Sequence, residues 1–139
     1  MEKIVTEKLN IISKKNGSIF PIIKSDSEHF SKFGEVYISS IGKNVVRAWK
    51  KHKSLKQYFV VPIGKVKFVF IIDNKFKEII IGSDNYSFIK VPKNIWYGFK
   101  NLASKDSYII NFIDLPHSKG NSEFSDYNEN KIKGYNWSK

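Results

Sequence analysis

The sequence predicts an all-β protein, a sandwich or jelly roll formed by a single domain. Apolar and polar residues alternate with a period of two along most of the chain, which is typical of half-buried strands. β-branched and aromatic residues are abundant, and turn residues recur about every 6–12 positions, as in sandwiches and jelly rolls. The 139 residues, 41% of them hydrophobic, are enough for one hydrophobic core.

The first elements are predicted from turn chemistry as well as from alternation. An edge strand is expected over residues 3–12, a hairpin turn over 14–17 and a partner strand over 18–23. Asn16-Gly17 in this turn suits the positive φ angles of a type I′ turn. The polar residues 24–32 are expected to form a loop or a single helical turn.

Eight further strands follow in quick succession, separated by short turns rich in Gly, Pro, Asn and Asp. They are expected at residues 34–41, 44–52, 57–61, 66–72, 76–81, 86–91, 95–99 and 108–113. Beyond Pro116 the chain becomes polar, and residues 117–139 are interpreted as a C-terminal segment of the same domain, which spans 1–139.

The composition limits the functional classes. The net charge is +11, but 23 of the 24 basic residues are scattered lysines, which indicates a solvated surface or an anionic partner such as a phosphorylated metabolite. Nucleic-acid recognition is disfavoured, because it depends on Arg and the chain has one. There is no cysteine, no long apolar run and no recognisable signal peptide, so we expect a cytoplasmic protein without disulfides or membrane spans.

Two motifs suggest a family. The first is Arg47-Ala-Trp-Lys-Lys-His-Lys53, followed by Leu55, Gln57 and Gly64, and it resembles the nucleotide-sugar branch of the cupins. That branch includes dTDP-4-dehydrorhamnose 3,5-epimerases (Arg-Gly-Leu-His) and dTDP-sugar 3,4-ketoisomerases (Arg-Gly-x-His-x-His-Lys). The second, Val-Pro-Lys-Asn-Ile-Trp-Tyr-Gly-Phe at residues 91–99, resembles the epimerases' Pro-x-Gly-x-x-His-Gly-Phe strand. The resemblance covers almost the whole chain and implies a cupin double-stranded β-helix, or jelly roll.

The same resemblance bears on metals and cofactors. Metal-binding cupins use His-x-His-x(3,4)-Glu and a later His, and these four ligand positions become Lys50, His52, Gln57 and Tyr97 here. One imidazole beside an ammonium is a poor site for a divalent ion. We therefore predict no metal and no cofactor.

By resemblance, the chain is an epimerase or isomerase of a nucleotide-linked 4-keto sugar in surface polysaccharide synthesis. Such enzymes remove a proton next to the ketone, which needs a base and a donor to the developing oxyanion. Lys50 occupies the position of the epimerases' base, and His52 that of the ketoisomerases' second His. Either Lys50 is the base with a lowered pKa, or His52 is the base and Lys50 stabilises the enolate; the second is favoured because it needs no unusual pKa. Tyr97 or His117 would return the proton.

Substrate binding is predicted from the remaining motif residues. Arg47 is expected to clamp the diphosphate bidentately, and Gln57 matches the ketoisomerase pattern. Trp49 and Trp96 are expected either to stack on the sugar or base or to belong to the core. Asp114 would contact substrate or pair with Lys50.

On a regular strand, Arg47 and Trp49 would face away from Lys50 and His52. For Arg47 to reach the same pocket, a bulge near Ala48 or a position at a subunit boundary is required. The resemblance implies a homodimer. The competing interpretation is a non-catalytic cupin that binds a nucleotide sugar or glycan, and the third, resting on charge alone, is a nucleic-acid-associated protein.

Overall fold

The computed structural model describes residues 2–124, 132 and 134–138, and it is built almost entirely of antiparallel strands. The strands are β1 (Val5–Lys8), β2 (Ile12–Lys14), β3 (Gly17–Ile19), β4 (Glu35–Ile41), β5 (Val46–His52), β6 (Gln57–Ile63), β7 (Lys65–Ile72), β8 (Lys75–Gly82), β9 (Ser87–Val91), β10 (Trp96–Asn101), β11 (Ser107–Ile113) and β12 (Ser122–Phe124). A single 3₁₀ turn, His117–Lys119, is the one helix in these residues, and no helix there has the length and apolarity needed to cross a membrane.

Two five-stranded sheets form the body of the molecule. The first has the order β1-β9-β6-β11-β4, and the second has the order β12-β5-β10-β7-β8. β2 and β3 form a separate hairpin. β4 and β5 are consecutive in the chain and joined by a short loop, yet they lie in different sheets, as in a jelly roll.

The hydrophobic core is made by the inward-facing residues of both sheets. Phe59 of β6, Phe68 and Phe70 of β7 and Ile89 of β9 are fully or almost fully buried there. Alternation puts these side chains inside, because successive residues of a strand point to opposite faces of its sheet. The core fills one part of the space between the sheets, and a cavity occupies another.

The eight strands predicted between residues 34 and 113 are all confirmed, with ends that differ by one or two residues. The hairpin between β7 and β8 turns at Asp73 and Asn74, whose φ angles of 51° and 61° fit a type I′ turn. The hairpin turn at 14–17 is present, but its expected type I′ conformation is wrong. Gly17 has a φ of +141°, whereas the φ angle of Asn16 is not positive. The predicted strand 3–12 is also divided, since β1 pairs with β9 whereas β2 pairs with β3.

The C-terminal segment is more structured than its polar sequence indicates. β12 pairs with β5, so that Ser122 lies opposite His52 and Phe124 opposite Lys50. Farther on, the side chain of Trp137 is buried on the outer face of the second sheet. A three-residue polar strand has no alternation of its own, and the sequence analysis missed it for that reason.

A bulge interrupts the pairing of β5 with β10. Tyr97 lies opposite Lys50 and Gly98 lies opposite Ala48, so Trp49 is an extra residue on β5. The indole of Trp49 packs on the outer face against Trp137, with ring centroids 5.3 Å apart. The bulge expected near Ala48 is therefore present.

Candidate functional site

A cavity of about 480 Å³ lies between the two sheets, next to the bulge of β5. Most of its wall is apolar, with a few polar and charged groups. Its lining residues are Tyr37, Ser39, Val46, Arg47, Ala48, Trp49, Lys50, Phe59, Tyr97, Phe99, Ile109, Asn111 and Phe124. A concave, mainly apolar space with a few convergent polar groups is the usual form of a small-molecule site.

Lys50 is half-buried in this wall and has an unusual neighbour. Its Nζ lies 3.1 Å from Nε2 of His117 and 5.1 Å from the centre of the Phe124 ring. Burial lowers the pKa of Lys50 below its ordinary value. Within the described part of the chain, no carboxylate forms an ion pair with Lys50, so no opposite charge offsets the cost of burying the ammonium.

His117 reaches Lys50 from the 3₁₀ turn that follows Pro116. Its backbone N–H donates to Oε1 of Glu35 at 2.9 Å, which fixes the turn against β4. Its ring centre is 5.6 Å from that of His52 and 6.4 Å from that of Tyr37. His117 therefore connects the two sheets at the point where Lys50 faces the cavity.

His52 is buried behind Lys50, with 3% of its surface exposed, and is not among the residues that line the cavity. Its Nδ1 is 2.7 Å from Oγ of Ser122, and its Nε2 is 3.5 Å from the hydroxyl of Tyr97. Burial, followed by the charges of Lys50 and His117, lowers the pKa of His52 to about 4. The imidazole is therefore neutral at physiological pH.

A chain of hydrogen bonds crosses the wall beside Tyr97. The hydroxyl of Tyr97 donates to Oε1 of Gln57 at 3.2 Å, and Nδ2 of Asn111 donates to the same oxygen at 3.1 Å and to the Tyr37 hydroxyl at 2.8 Å. Burial raises the pKa of both Tyr97 and Tyr37, so both phenols stay protonated. Oδ1 of Asn111 is buried without a hydrogen-bond partner among the described residues.

Arg47 lies at the exposed margin of the cavity. Its Nη2 donates to the backbone carbonyl of Ser40 on β4 at 2.7 Å, so the side chain extends from the second sheet to the first. Arg47 and Lys50 line the same cavity. The extra residue in β5 is the structural reason that both can do so.

Two predicted binding residues lie elsewhere. Oδ1 of Asp114 accepts the N–H of Lys56 at 2.8 Å, and its Oδ2 accepts the hydroxyl of Ser31 at 3.2 Å, so Asp114 neither lines the cavity nor pairs with Lys50. The reason is alternation along β11 and beyond, which turns Asn111 inward and Asp114 outward. Trp96 packs on the outer face, where Lys51 lies 5.1 Å from its ring centre.

The side chain of Trp49 is also an outer-face group, although the residue contributes to the cavity wall through its place in the bulge. The sequence analysis missed several residues of the site, among them Tyr37, Asn111, Ser122 and Phe124. Inward alternation could have indicated the first two, whereas the last two depend on the short strand β12.

The side chains at the four cupin metal positions offer few free donors for a metal ion. Lys50 is cationic when protonated, both ring nitrogens of His52 have neighbours, and Oε1 of Gln57 already accepts two hydrogen bonds. Tyr97 supplies a protonated phenol. These groups do not fit a divalent ion, which needs several free anionic or neutral donors.

Comparisons with known proteins bear on the fold and on the class of protein. No family model matches the sequence. The "Probable low-salt glycan biosynthesis epimerase Agl13" of Haloferax volcanii is 28% identical over 114 residues, which are 75% of this chain and 72% of that protein. The crystal structure of a dTDP sugar isomerase from Desulfovibrio desulfuricans G20 gives a TM-score of 0.91 at 29% identity, covering 99% of this chain and 92% of that one.

A more distant likeness concerns the fold alone. The dTDP-4-dehydrorhamnose 3,5-epimerase of Sulfolobus tokodaii gives a TM-score of 0.78 at 21% identity, over 89% of this chain and 77% of that chain. The predicted cupin jelly roll is confirmed, as is the resemblance to nucleotide-sugar epimerases and isomerases.

Proposed function

We propose that this chain, similar in fold and sequence to the sugar-nucleotide epimerases and isomerases, is itself an enzyme of that kind. Its substrate would be a nucleotide-linked 4-keto sugar, and its reaction would begin by removing a proton from the carbon next to the ketone. The product would serve surface polysaccharide synthesis. The support comes from the glycan-biosynthesis epimerase and the dTDP sugar isomerase that resemble the chain over most of its length.

The observation that carries the proposal is the position of Lys50. It brings a titratable amine with a lowered pKa into a cavity large enough for a sugar, and a second titratable group, His117, lies within hydrogen-bond distance. Proton removal next to a ketone needs a base near neutrality and positive or donor groups for the enolate oxygen. Perturbed titratable groups that line a cavity are typical of active sites.

We assign roles to the residues in and behind the cavity wall on this basis. Lys50, Tyr97 and His117 form the catalytic cluster, and His52 and Gln57 lie behind it as positioning residues, with Gln57 holding the Tyr97 hydroxyl. The unpartnered Oδ1 of Asn111 would accept a hydrogen bond from a sugar hydroxyl, because an unpaired buried acceptor is costly until a ligand satisfies it.

Arg47 would bind the diphosphate at the margin of the cavity. Its guanidinium is within reach of the cavity and can form paired hydrogen bonds with phosphate oxygens. Trp49, Trp96 and Asp114 are given no part in substrate binding, since they pack or hydrogen-bond elsewhere. Neither a metal nor a cofactor is needed for an enolisation of this kind.

The proposal includes a homodimer in the cytoplasm. The outer face of β4 and β11 exposes the apolar side chains of Val36, Ile38 and Tyr108, an arrangement that a second copy would cover. A cysteine-free chain suits the reducing cytoplasm.

Solvent exchange tests the enzymatic proposal. The protein is incubated with dTDP-4-keto-6-deoxyglucose in D₂O buffer, and ¹H NMR follows loss of the signals at the carbons next to the ketone. Deuterium at one of these carbons, well above the rate without protein, is the expected result. Saturable binding of several 4-keto sugar nucleotides with no exchange in any of them would replace the proposal by the non-catalytic alternative.

A further inference from the structure

We infer that Lys50 is the base of this site, that it shares its proton with His117, and that His52 positions the cluster without taking part in proton transfer. The inference rests on the proposed function and adds the identity of the proton acceptor. It reverses the roles that the sequence alone favoured, in which His52 was the base and Lys50 the cation.

Access to the cavity separates the two candidates. Lys50 lines the cavity, whereas His52 is 3% exposed and lies behind it. Each nitrogen of His52 already faces a hydroxyl, Ser122 on one side and Tyr97 on the other. A base must come within hydrogen-bond distance of the proton it removes, and the geometry gives that position to Lys50.

The 3.1 Å contact between Nζ of Lys50 and Nε2 of His117 links the two groups. With His117 in the tautomer that leaves Nε2 unprotonated, the ammonium of Lys50 can donate to that nitrogen, and the pair then carries a single positive charge. A second proton is disfavoured because two like charges would then be in contact. The pair can therefore change between a neutral and a singly charged state while a proton is taken from substrate.

The charged groups around the pair do not fix Lys50 as an ammonium. On β4, Glu35 faces the backbone of His117, and on β12, Glu123 pairs with Lys51 and Lys53. β5 itself contributes the neutral His52 and, at the margin, Arg47.

The other contacts of the pair are aromatic. The phenols of Tyr97 and Tyr37 stay protonated, and Phe124 is apolar. The amine form of Lys50 is thus accessible in the way that buried catalytic lysines require.

The step is balanced without any further reactant. The amine of Lys50 forms an N–H bond as the C–H bond next to the ketone breaks, and the electron pair of that bond forms the double bond of the enolate. The ammonium shares its new proton with Nε2 of His117. Return of a proton from the pair to a carbon of the enolate regenerates the amine, and solvent exchange of the pair in the meantime delivers deuterium to the sugar.

Three variants, made in the full chain, test the inference by exchange into dTDP-4-keto-6-deoxyglucose between pH 6 and 10. Lys50→Met is expected to lower the exchange rate at least 100-fold while dTDP still binds. His117→Phe keeps a ring but removes Nε2, so the ammonium of Lys50 loses its acceptor. It is expected to lower the rate about 10-fold and to move the acidic limb of the pH–rate profile to lower pH. His52→Gln is expected to retain a rate within about 10-fold of the natural protein, with the limb unmoved.

A second readout does not depend on turnover. The ¹⁵N signal of the Lys50 amine, assigned by its loss in Lys50→Met, is titrated in the free protein. Lys50 is expected to titrate below the ordinary pH range of a lysine amine, and at still lower pH in His117→Phe. If the Lys50 amine titrates at the same pH in His117→Phe as in the natural protein, Lys50 and His117 do not share a proton.

The outcomes separate the two claims. Exchange in the natural protein that persists in Lys50→Met but disappears in His52→Gln overturns the inference and leaves the proposed function standing. No exchange in the natural protein with any 4-keto sugar nucleotide overturns both. Exchange that requires Lys50, together with a pH profile that moves in His117→Phe, supports both.

Discussion

Tyr97 of β10 lies directly opposite Lys50 of β5, yet the next residue of β10, Gly98, lies opposite Ala48. Trp49 is therefore the additional residue of a bulge in β5. This single irregularity turns the indole of Trp49 outward against Trp137 and lets Arg47 and Lys50 line one cavity. Bulges of this kind are common beside active sites because they redirect side chains.

Gly98→Ala is expected to destabilise the protein by about 2 kcal/mol and to weaken dTDP binding, because the bulge has no room for a methyl group. A Cβ at Gly98 would lie 2.5 Å from Cβ of Ala48 and 3.0 Å from Cζ2 of Trp137. Gly42→Ala is the matched control, since the nearest atom there would be 3.6 Å away. Urea unfolding checks the prediction, and equal losses in the two variants would contradict it.

The burial of His52 predicts a specific acid sensitivity. The pKa of His52 is about 4 in the folded protein, below the ordinary value of 6.5. Between pH 6.5 and pH 4, the imidazole is therefore protonated in the unfolded chain but neutral in the folded one. The stability contribution is therefore complete above pH 6.5 and is lost as the pH falls toward 4. After allowance for solvent screening, this loss is about 2 kcal/mol.

The measurement is urea unfolding at pH 7 and pH 4.5, in the natural protein and in His52→Gln. The variant keeps the carboxylates, including Glu2, whose lowered pKa also makes folding sensitive to acid. The difference between the two proteins isolates the contribution of His52. A pH dependence that is the same in both would show that His52 is not buried in its neutral form.

Lys50→Met, the variant expected to slow exchange into substrate, is also expected to make the protein more stable, by about 1 kcal/mol at pH 7. Lys50 is half-buried with no carboxylate partner in the described residues, and Met fills a similar volume without a charge. A stability gain coupled to loss of function is typical of residues kept for chemistry. Thermal unfolding measures it, with Lys100→Met as the control at a site outside the cavity. A loss of stability in Lys50→Met would mean that the Lys50–His117 contact is mainly structural.

The sequence predicted the strands of the sheets well but only some of the residues around the cavity, and the reasons are physical. The alternation of apolar and polar residues, together with the turn residues, locates strands such as β7 and β8, because successive side chains of a strand point to opposite faces of its sheet. The role of His117 could be suspected but its contact with Lys50 could not, since that contact joins residues 67 positions apart. β12 is three residues long, and its position beside β5 depends on tertiary pairing that no local pattern records.

Tyr37→Phe tests the opposite wall of the cavity. Its hydroxyl accepts a hydrogen bond from Asn111, and its protonated phenol is placed to donate to a substrate oxygen or carbon. The variant is expected to slow turnover of the 4-keto sugar by about 100-fold, within the range of general acid catalysis, with little change in dTDP affinity. Tyr108→Phe, on the outer face, should have no such effect. Equal rates in the two variants would remove Tyr37 from the mechanism.

Ile38→Lys tests the proposed dimer. Ile38 is 66% exposed on the outer face of β4, beside the half-exposed Val36, and a charge there would have to be desolvated if a second copy covered this face. Sedimentation velocity is expected to show a dimer for the natural protein and a monomer for Ile38→Lys at the same concentration. Ile80→Lys, at an exposed position of β8 in the other sheet, is the control and should remain dimeric. If Ile80→Lys dissociates and Ile38→Lys does not, the second copy binds the β8 side of the molecule, and the apolar face of β4 needs another explanation.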